Sequence, residues 1–185
     1  MRPINNYDNV KPNYGGSGRK EEPGGYIVKI TFVEDNPKKE YLRIEWDYTE
    51  GDLAGAHREC YDSYGFWPAA LFRSYKDSAV GMFKAFIESV EKSNEGYKWN
   101  NNDPNNEKTL VGKWVGVVTR EEEYTSNSGE LKTRIIVDRV LPAVDILNGN
   151  FTVLPTKRKE ASNRSNAVVD MTASSVPAFD EDTPF

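Results

Sequence analysis

Between Gly25 and Val153 the chain switches between a period of two and a period of 3.6, and that switching limits its possible folds more than any other feature. Tyr26, Val28, Ile30 and Phe32 alternate with Ile27, Lys29 and Thr31, which predicts a strand opened by Gly24-Gly25 and broken at Asn36-Pro37. A second alternation puts Leu42, Ile44, Trp46 and Tyr48 on one face and Tyr41, Arg43, Glu45 and Asp47 on the other. His57 to Phe66 reads as a third strand, with Arg58, Cys60 and Asp62 opposite Glu59 and Tyr61. The period then changes. Ala79, Met82, Phe83, Phe86, Ile87 and Val90 recur at spacings of three and four after an N-cap at Asp77 or Ser78, which predicts a helix ended by Asn94 and Gly96. Leu110 to Val118 is a fourth strand, extended through Glu121–Tyr124. Ser126-Asn127-Ser128-Gly129 signals a hairpin turn into a fifth strand on which Thr133, Ile135 and Val137 alternate. Ile146 to Val153 reads as a short closing strand.

The predicted class is mainly β. The order β-β-β-α-β-β, with one helix, is that of an OB-fold: a five-stranded Greek-key barrel whose ligand face lies on strands two and three and on the loops joining strands 1–2 and 4–5. Five strands and one helix also suit an open α+β sandwich.

Composition decides which functions such a chain can serve. Its 185 residues hold 24 Lys+Arg against 29 Asp+Glu, a formal charge of -5, so a uniformly basic nucleic-acid binder is excluded. The excess is unevenly placed: residues 161–185 carry one basic and four acidic side chains, net -3, which leaves residues 1–160 at -2. A local cationic groove remains possible on the body. The expected organisation is a flexible N-terminal arm over 1–23, rich in Asn and Gly, a domain over 24–156, a disordered linker over 157–179, and an acidic tip over 180–185. No apolar run approaches the roughly 20 residues of a membrane helix, and the Asn-rich start does not read as a signal peptide. The expected setting is a reducing cytoplasm, with no membrane partner.

No Gly-rich phosphate loop, paired-histidine motif or nucleophile elbow occurs, and the chain has one Cys and one His. No catalytic residue, metal or cofactor is therefore expected, and the chain is read as a non-enzyme. His57 and Cys60, three apart on a strand, would point to opposite faces, as a surface histidine and a small core thiol. Glu121-Glu122-Glu123 and the acidic residues at 45, 47, 50 and 52 read as solvated strand edges.

The aromatic residues point elsewhere. Tyr61, Tyr64, Phe66, Trp67, Phe72 and Tyr75 fall within 15 residues, with Arg73 and Lys76 among them and Arg58 just before. Aromatic faces stack on unpaired bases at ~1–3 kcal/mol per base while interleaved cations hold phosphates. About half of such rings are expected in the core, and Phe66, Phe72 and Trp46 are assigned to that half. The predicted DNA-contacting residues are Tyr41, Arg43, Arg58, Tyr61, Tyr64, Trp67, Arg73, Tyr75, Lys76 and Trp99, the last because a tryptophan beside Lys98 in a polar loop needs a pocket or a partner.

The chain ends in Asp180-Glu181-Asp182-Thr183-Pro184-Phe185, three carboxylates before a terminal Pro-Phe. This resembles the C-terminal tip of bacterial single-stranded DNA-binding proteins, with Thr183 where isoleucine or leucine is usual. The resemblance implies that Asp180, Glu181, Asp182, Pro184 and Phe185 engage replication and repair proteins. An acidic solubilising tail is the plainer reading. In the body, Gly25-Tyr26-Ile27-Val28-Lys29-Ile30, Glu40-Tyr41-Leu42-Arg43-Ile44, Tyr64-Gly65-Phe66-Trp67, Arg73-Ser74-Tyr75-Lys76, Glu91-Lys92-Ser93-Asn94 and Thr109-Leu110-Val111-Gly112-Lys113 resemble a family of phage and prophage proteins regarded as single-stranded DNA-binding or replication-associated. The likeness spans residues 24–155. It implies single-stranded DNA as a partner, a bacterial or phage-infected cytoplasm, and a chain that can form a homo-oligomer. The competing class is an acidic protein-interaction or DNA-mimic module, which continuous acidity over strands two and three would favour.

Overall fold

The computed structural model describes residues 20–158. The N-terminal arm up to residue 19, the linker from 159 and the tip at 180–185 lie outside the described residues.

Five strands form one sheet: β1 (Gly25–Asn36), β2 (Tyr41–Tyr48), β3 (Ala70–Ser74), β4 (Trp114–Thr125) and β5 (Leu131–Leu141). Their spatial order is β3-β2-β1-β4-β5, and each neighbouring pair is antiparallel. The protein is thus mainly β, and among the described residues β3 and β5 are the two outer strands of an open sheet.

Period-two patterning sets which face is inside. Val28, Ile30 and Val33 of β1, Leu42, Ile44, Trp46 and Tyr48 of β2, Leu71 of β3, and Val115 and Val117 of β4 join one buried cluster. Helix α2 (Val80–Ser93) closes that face with Phe86, Ile87 and Val90, the predicted helix stripe. The helix begins after Ala79 without a side-chain cap, so neither Asp77 nor Ser78 serves as predicted.

A β-bulge changes the outcome for β1. Ile30 pairs with Trp46, but the register slips before Phe32, which pairs with Glu45. A one-residue slip exchanges the faces. Val33 is buried in the place the alternation gave to Phe32, and Phe32 turns outward.

Two further expectations are corrected. His57 to Phe66 is not a strand: Ala56–Tyr64 forms helix α1, and the third strand comes later, at Ala70–Ser74. β3 pairs with β2 only from Tyr41↔Ser74 to Glu45↔Ala70, so α1 occupies the β2 edge beyond it. There the Trp46 carbonyl accepts hydrogen bonds from His57 Nδ1 at 2.7 Å and Trp67 Nε1 at 3.1 Å. The Asp47 carboxylate accepts from the backbone N–H groups of Tyr48, His57 and Arg58 at 2.8, 3.1 and 3.0 Å, capping α1 from another element. His57 is therefore buried, not a surface residue, and its Nδ1 carries the proton because a carbonyl can only accept. Ile146 to Val153 is likewise not a strand; Ala143–Leu147 forms the short helix α3 after Pro142. The protein has three α-helices among its described residues where one was expected.

Candidate functional site

The sheet's second face, opposite the core, is only partly covered. The register on β1 and β4 orders its outward positions as three successive pairs: Gly25↔Val118, Ile27↔Gly116 and Lys29↔Trp114. A Cβ at Gly25 would overlap the Phe151 ring, and a Cβ at Gly116 would collide with Ile146 of α3. The first two pairs thus lie beneath the segment that follows β5. The third is open: Lys29 is exposed and Trp114 is 43% exposed.

From that pair an uncovered strip runs across β1 and β2 to β3. Phe32 is 44% exposed. Its partner on β2 is Glu45; Arg43 and Tyr41 follow on the same face, opposite Glu34 and Asn36 of β1, and opposite Arg43 on β3 stands Phe72. The Tyr41 and Phe72 rings meet edge to face at 5.5 Å. Two exchanges fix Trp114: Asn94 at the end of α2 accepts from its backbone N–H at 3.0 Å and donates to its carbonyl at 2.8 Å. The strip carries Glu34 and Glu45 as well as Lys29 and Arg43, and Arg43 contacts Glu45 at 2.6 Å. Acidity there is interrupted by cations. Four rings around two cations on a rigid, solvent-facing surface can stack on flat unsaturated groups and offer counter-charge beside them.

Phe32 and Trp114 were missed by sequence reasoning. The signal for Trp114 was a large ring at the start of a strand, on the face opposite to Val115 and Val117; nothing in the sequence marks the bulge that turns Phe32.

The predicted residues fall into three groups. Tyr41 and Arg43 lie on the open strip. Arg58, Tyr61, Tyr64 and Trp67 gather around α1: Tyr61 and Tyr64 are 46% and 63% exposed, Arg58 is paired with Asp62 at 3.1 Å, and Trp67 is half-buried with its ring 5.9 Å from Tyr61. Phe66, assigned to the core, is 57% exposed and lies 6.3 Å from Tyr64. Gly65, with a positive φ of 77°, ends α1 and turns the chain so that Phe66 emerges. Trp46 is buried as expected, whereas Phe72 is only half-buried.

The third group faces the core side. Tyr75 and Trp99 both pack on Phe83, at 6.1 and 5.9 Å, and the Tyr75 hydroxyl donates to Asp35 at 2.8 Å. Burial and that bond push the Tyr75 phenol up to about 12. Arg73 pairs in register with buried Leu42, lies over the Phe86 ring at 5.9 Å and donates Nη1 to the Phe72 carbonyl at 3.0 Å. Burial lowers its guanidinium to about 10, still charged at neutral pH. Lys76 is exposed at the end of β3, its backbone N–H on the Ser74 hydroxyl. The partner-contact residues Asp180, Glu181, Asp182, Pro184 and Phe185 lie outside the described residues.

A fourth outward feature lies on the β4–β5 hairpin beyond the end of β1. Glu122 accepts from Arg134 at 2.9 Å and from Lys157 at 2.8 Å, and the Arg134 guanidinium lies 5.2 Å from the centre of the Tyr124 ring. Burial raises the Glu122 carboxyl, but the Lys157 and Arg134 hydrogen bonds outweigh it and hold the group below its ordinary value. Among the described residues there is no group of three or more His, Cys, Asp or Glu side chains placed to hold a metal ion, and no helix is long and apolar enough to cross a membrane. Neither a protein-family model nor a curated protein matches the chain.

Proposed function

We propose that this chain is a single-stranded DNA-binding protein of the phage or prophage type, which holds unpaired DNA on the open face of its sheet and recruits replication and repair proteins through its acidic C-terminal tip. One observation carries the reading: Phe32, Trp114, Tyr41 and Phe72 flank Lys29 and Arg43 on a face that points away from the core. Rings of this kind that serve packing alone belong on the other face. Each stacked base is worth ~1–3 kcal/mol, so two or three of these rings suffice for useful affinity without any base-edge contact.

The strand order supports an OB-like barrel as the scaffold. β1, β2 and β3 follow one another and β4 lies beside β1, with β5 outside β4, an order compatible with the Greek key of such a barrel. OB barrels are partly open, and their ligand face uses strands two and three and the loop between strands four and five. The exposed rings of α1, between β2 and β3, offer a second group of stacking faces at the edge of β2. The cytoplasm of a bacterial cell is the setting such a role requires, and no reaction is assigned. The cations that break up the acidity of the strip weigh against the DNA-mimic alternative.

Tryptophan fluorescence titrated with an unstructured oligonucleotide tests the proposal. Quenching that weakens as salt rises is the expected result, since phosphate contacts release counterions. A titration with neither quenching nor a salt-sensitive complex removes it.

A further inference from the structure

The segment after α3 runs back along the sheet and is fastened at three points, one of them the Thr152 carbonyl, which accepts from Arg139 Nη2. Phe151 sits on Gly25, filling the space a side chain there would need, and Val118, the register partner of Gly25, is fully buried. Six residues later the chain joins the edge of β4 that β1 leaves vacant. Lys157 N–H donates to the Glu121 carbonyl at 2.8 Å, Glu123 N–H donates to the Lys157 carbonyl at 2.9 Å, and the Thr156 hydroxyl donates to the Glu121 carboxylate at 3.0 Å. Lys157 Nζ completes the attachment on Glu122, a half-exposed ion pair that salt screens.

What the strap separates is informative. Along β4 the outward positions after Val118 lead into the hairpin, where Arg134 faces Glu122 and Lys132 faces Tyr124. Gly25 and Val118 beneath Phe151 would form a flat apolar platform, and the Tyr124 ring with Arg134 and Lys157 lies at the hairpin end. We propose that residues 151–157 are a displaceable strap over a further nucleotide subsite, in which an unpaired base takes the place of the Phe151 ring on Gly25 and Val118 while a phosphate farther along the same DNA strand takes Arg134 from Glu122. This subsite rests on the single-stranded DNA reading above.

A strap with this role holds the platform closed in the free protein, so the apparent affinity for DNA is reduced by the closed fraction. Two measurements on the full chain test it, both with an unstructured oligothymidine. Hydrogen exchange of the wild-type protein reads the Lys157 and Glu123 amides; the expected result is loss of their protection at saturating oligonucleotide. In Phe151→Ala, the expected result is severalfold tighter binding with the same occluded length at saturation as the wild type, because only the cost of opening the strap is removed; unchanged or weaker binding by this variant overturns the strap. Oligonucleotide binding with protection of both amides kept or increased overturns the strap while leaving the strip as a binding face. An oligonucleotide that does not bind the wild-type chain at all defeats the reading beneath and the strap with it.

Discussion

Glu122 shows how one residue ties structure to conditions. Its carboxyl is held below the ordinary value near 4.3 by Lys157 and Arg134. A group whose folded value is depressed contributes stability that is present above the unfolded value and is lost as pH falls through the folded one. The Lys157 attachment should therefore persist at neutral pH and loosen only below the usual carboxylate range. An NMR titration of the Glu122 carboxyl carbon should give a midpoint below about 4.3; a midpoint at or above it would mean that the ion pairs do not hold in solution. Gly116 makes a steric prediction at the same scale. A Cβ there meets Ile146 and also the Leu141 and Pro142 carbonyl oxygens at 2.9 and 3.1 Å, and backbone cannot swing aside. Gly116→Ala should cost about 1–3 kcal/mol in urea unfolding, and an unchanged midpoint would contradict the close packing of α3 on β4.

Among the elements, α1 depends most on a distant partner. It carries one buried residue, His57, and its N-cap Gly55 has no side chain to offer, so Asp47 on β2 supplies the acceptor for its first turn. Asp47→Ala leaves those donors without it and should cost about 2 kcal/mol, with amide exchange rising first in 56–64; uniform exchange across the sheet would place the cap's effect elsewhere. The same dependence explains what was legible in the sequence. β1, β2, α2 and the β4–β5 hairpin could be read because each buries a regular stripe or carries its own turn, as in Ser126–Gly129. α1 is short, polar and without a local cap, so its stripe of Ala56, Cys60, Tyr61 and Tyr64 was outweighed by the alternation of Arg58, Cys60 and Asp62, which suggested a strand. α3 is five residues long, too short for periodicity, although Pro142 marked its start. Two of the six rings and cations of the open strip were legible, Tyr41 and Arg43 on the polar face of β2. Phe32 was not, because a bulge is a property of two paired strands and not of either alone.

At the scale of the molecule, charge is divided between a body and a tail for which different tasks are proposed. Residues 161–185 hold a net -3 of the chain's -5, and their proposed work is recruitment. Removing them should leave DNA binding intact or stronger at low salt, because the tip no longer competes with phosphates, and should abolish capture of a partner's basic pocket. Weaker DNA binding by the shortened chain would instead place ligand contacts in the tail. The body's part of the claim rests on the outward face of the sheet, and Trp114 is its most separable member, since its backbone is held by Asn94 whatever its side chain does. The most direct measurement is the anisotropy of a labelled unstructured oligonucleotide titrated with wild-type protein and with Trp114→Ala at matched salt. The account predicts loss of one stacking contact, ~1–3 kcal/mol or roughly 5- to 150-fold in affinity, with the salt slope unchanged. Equal affinity of the two proteins for the oligonucleotide would contradict it.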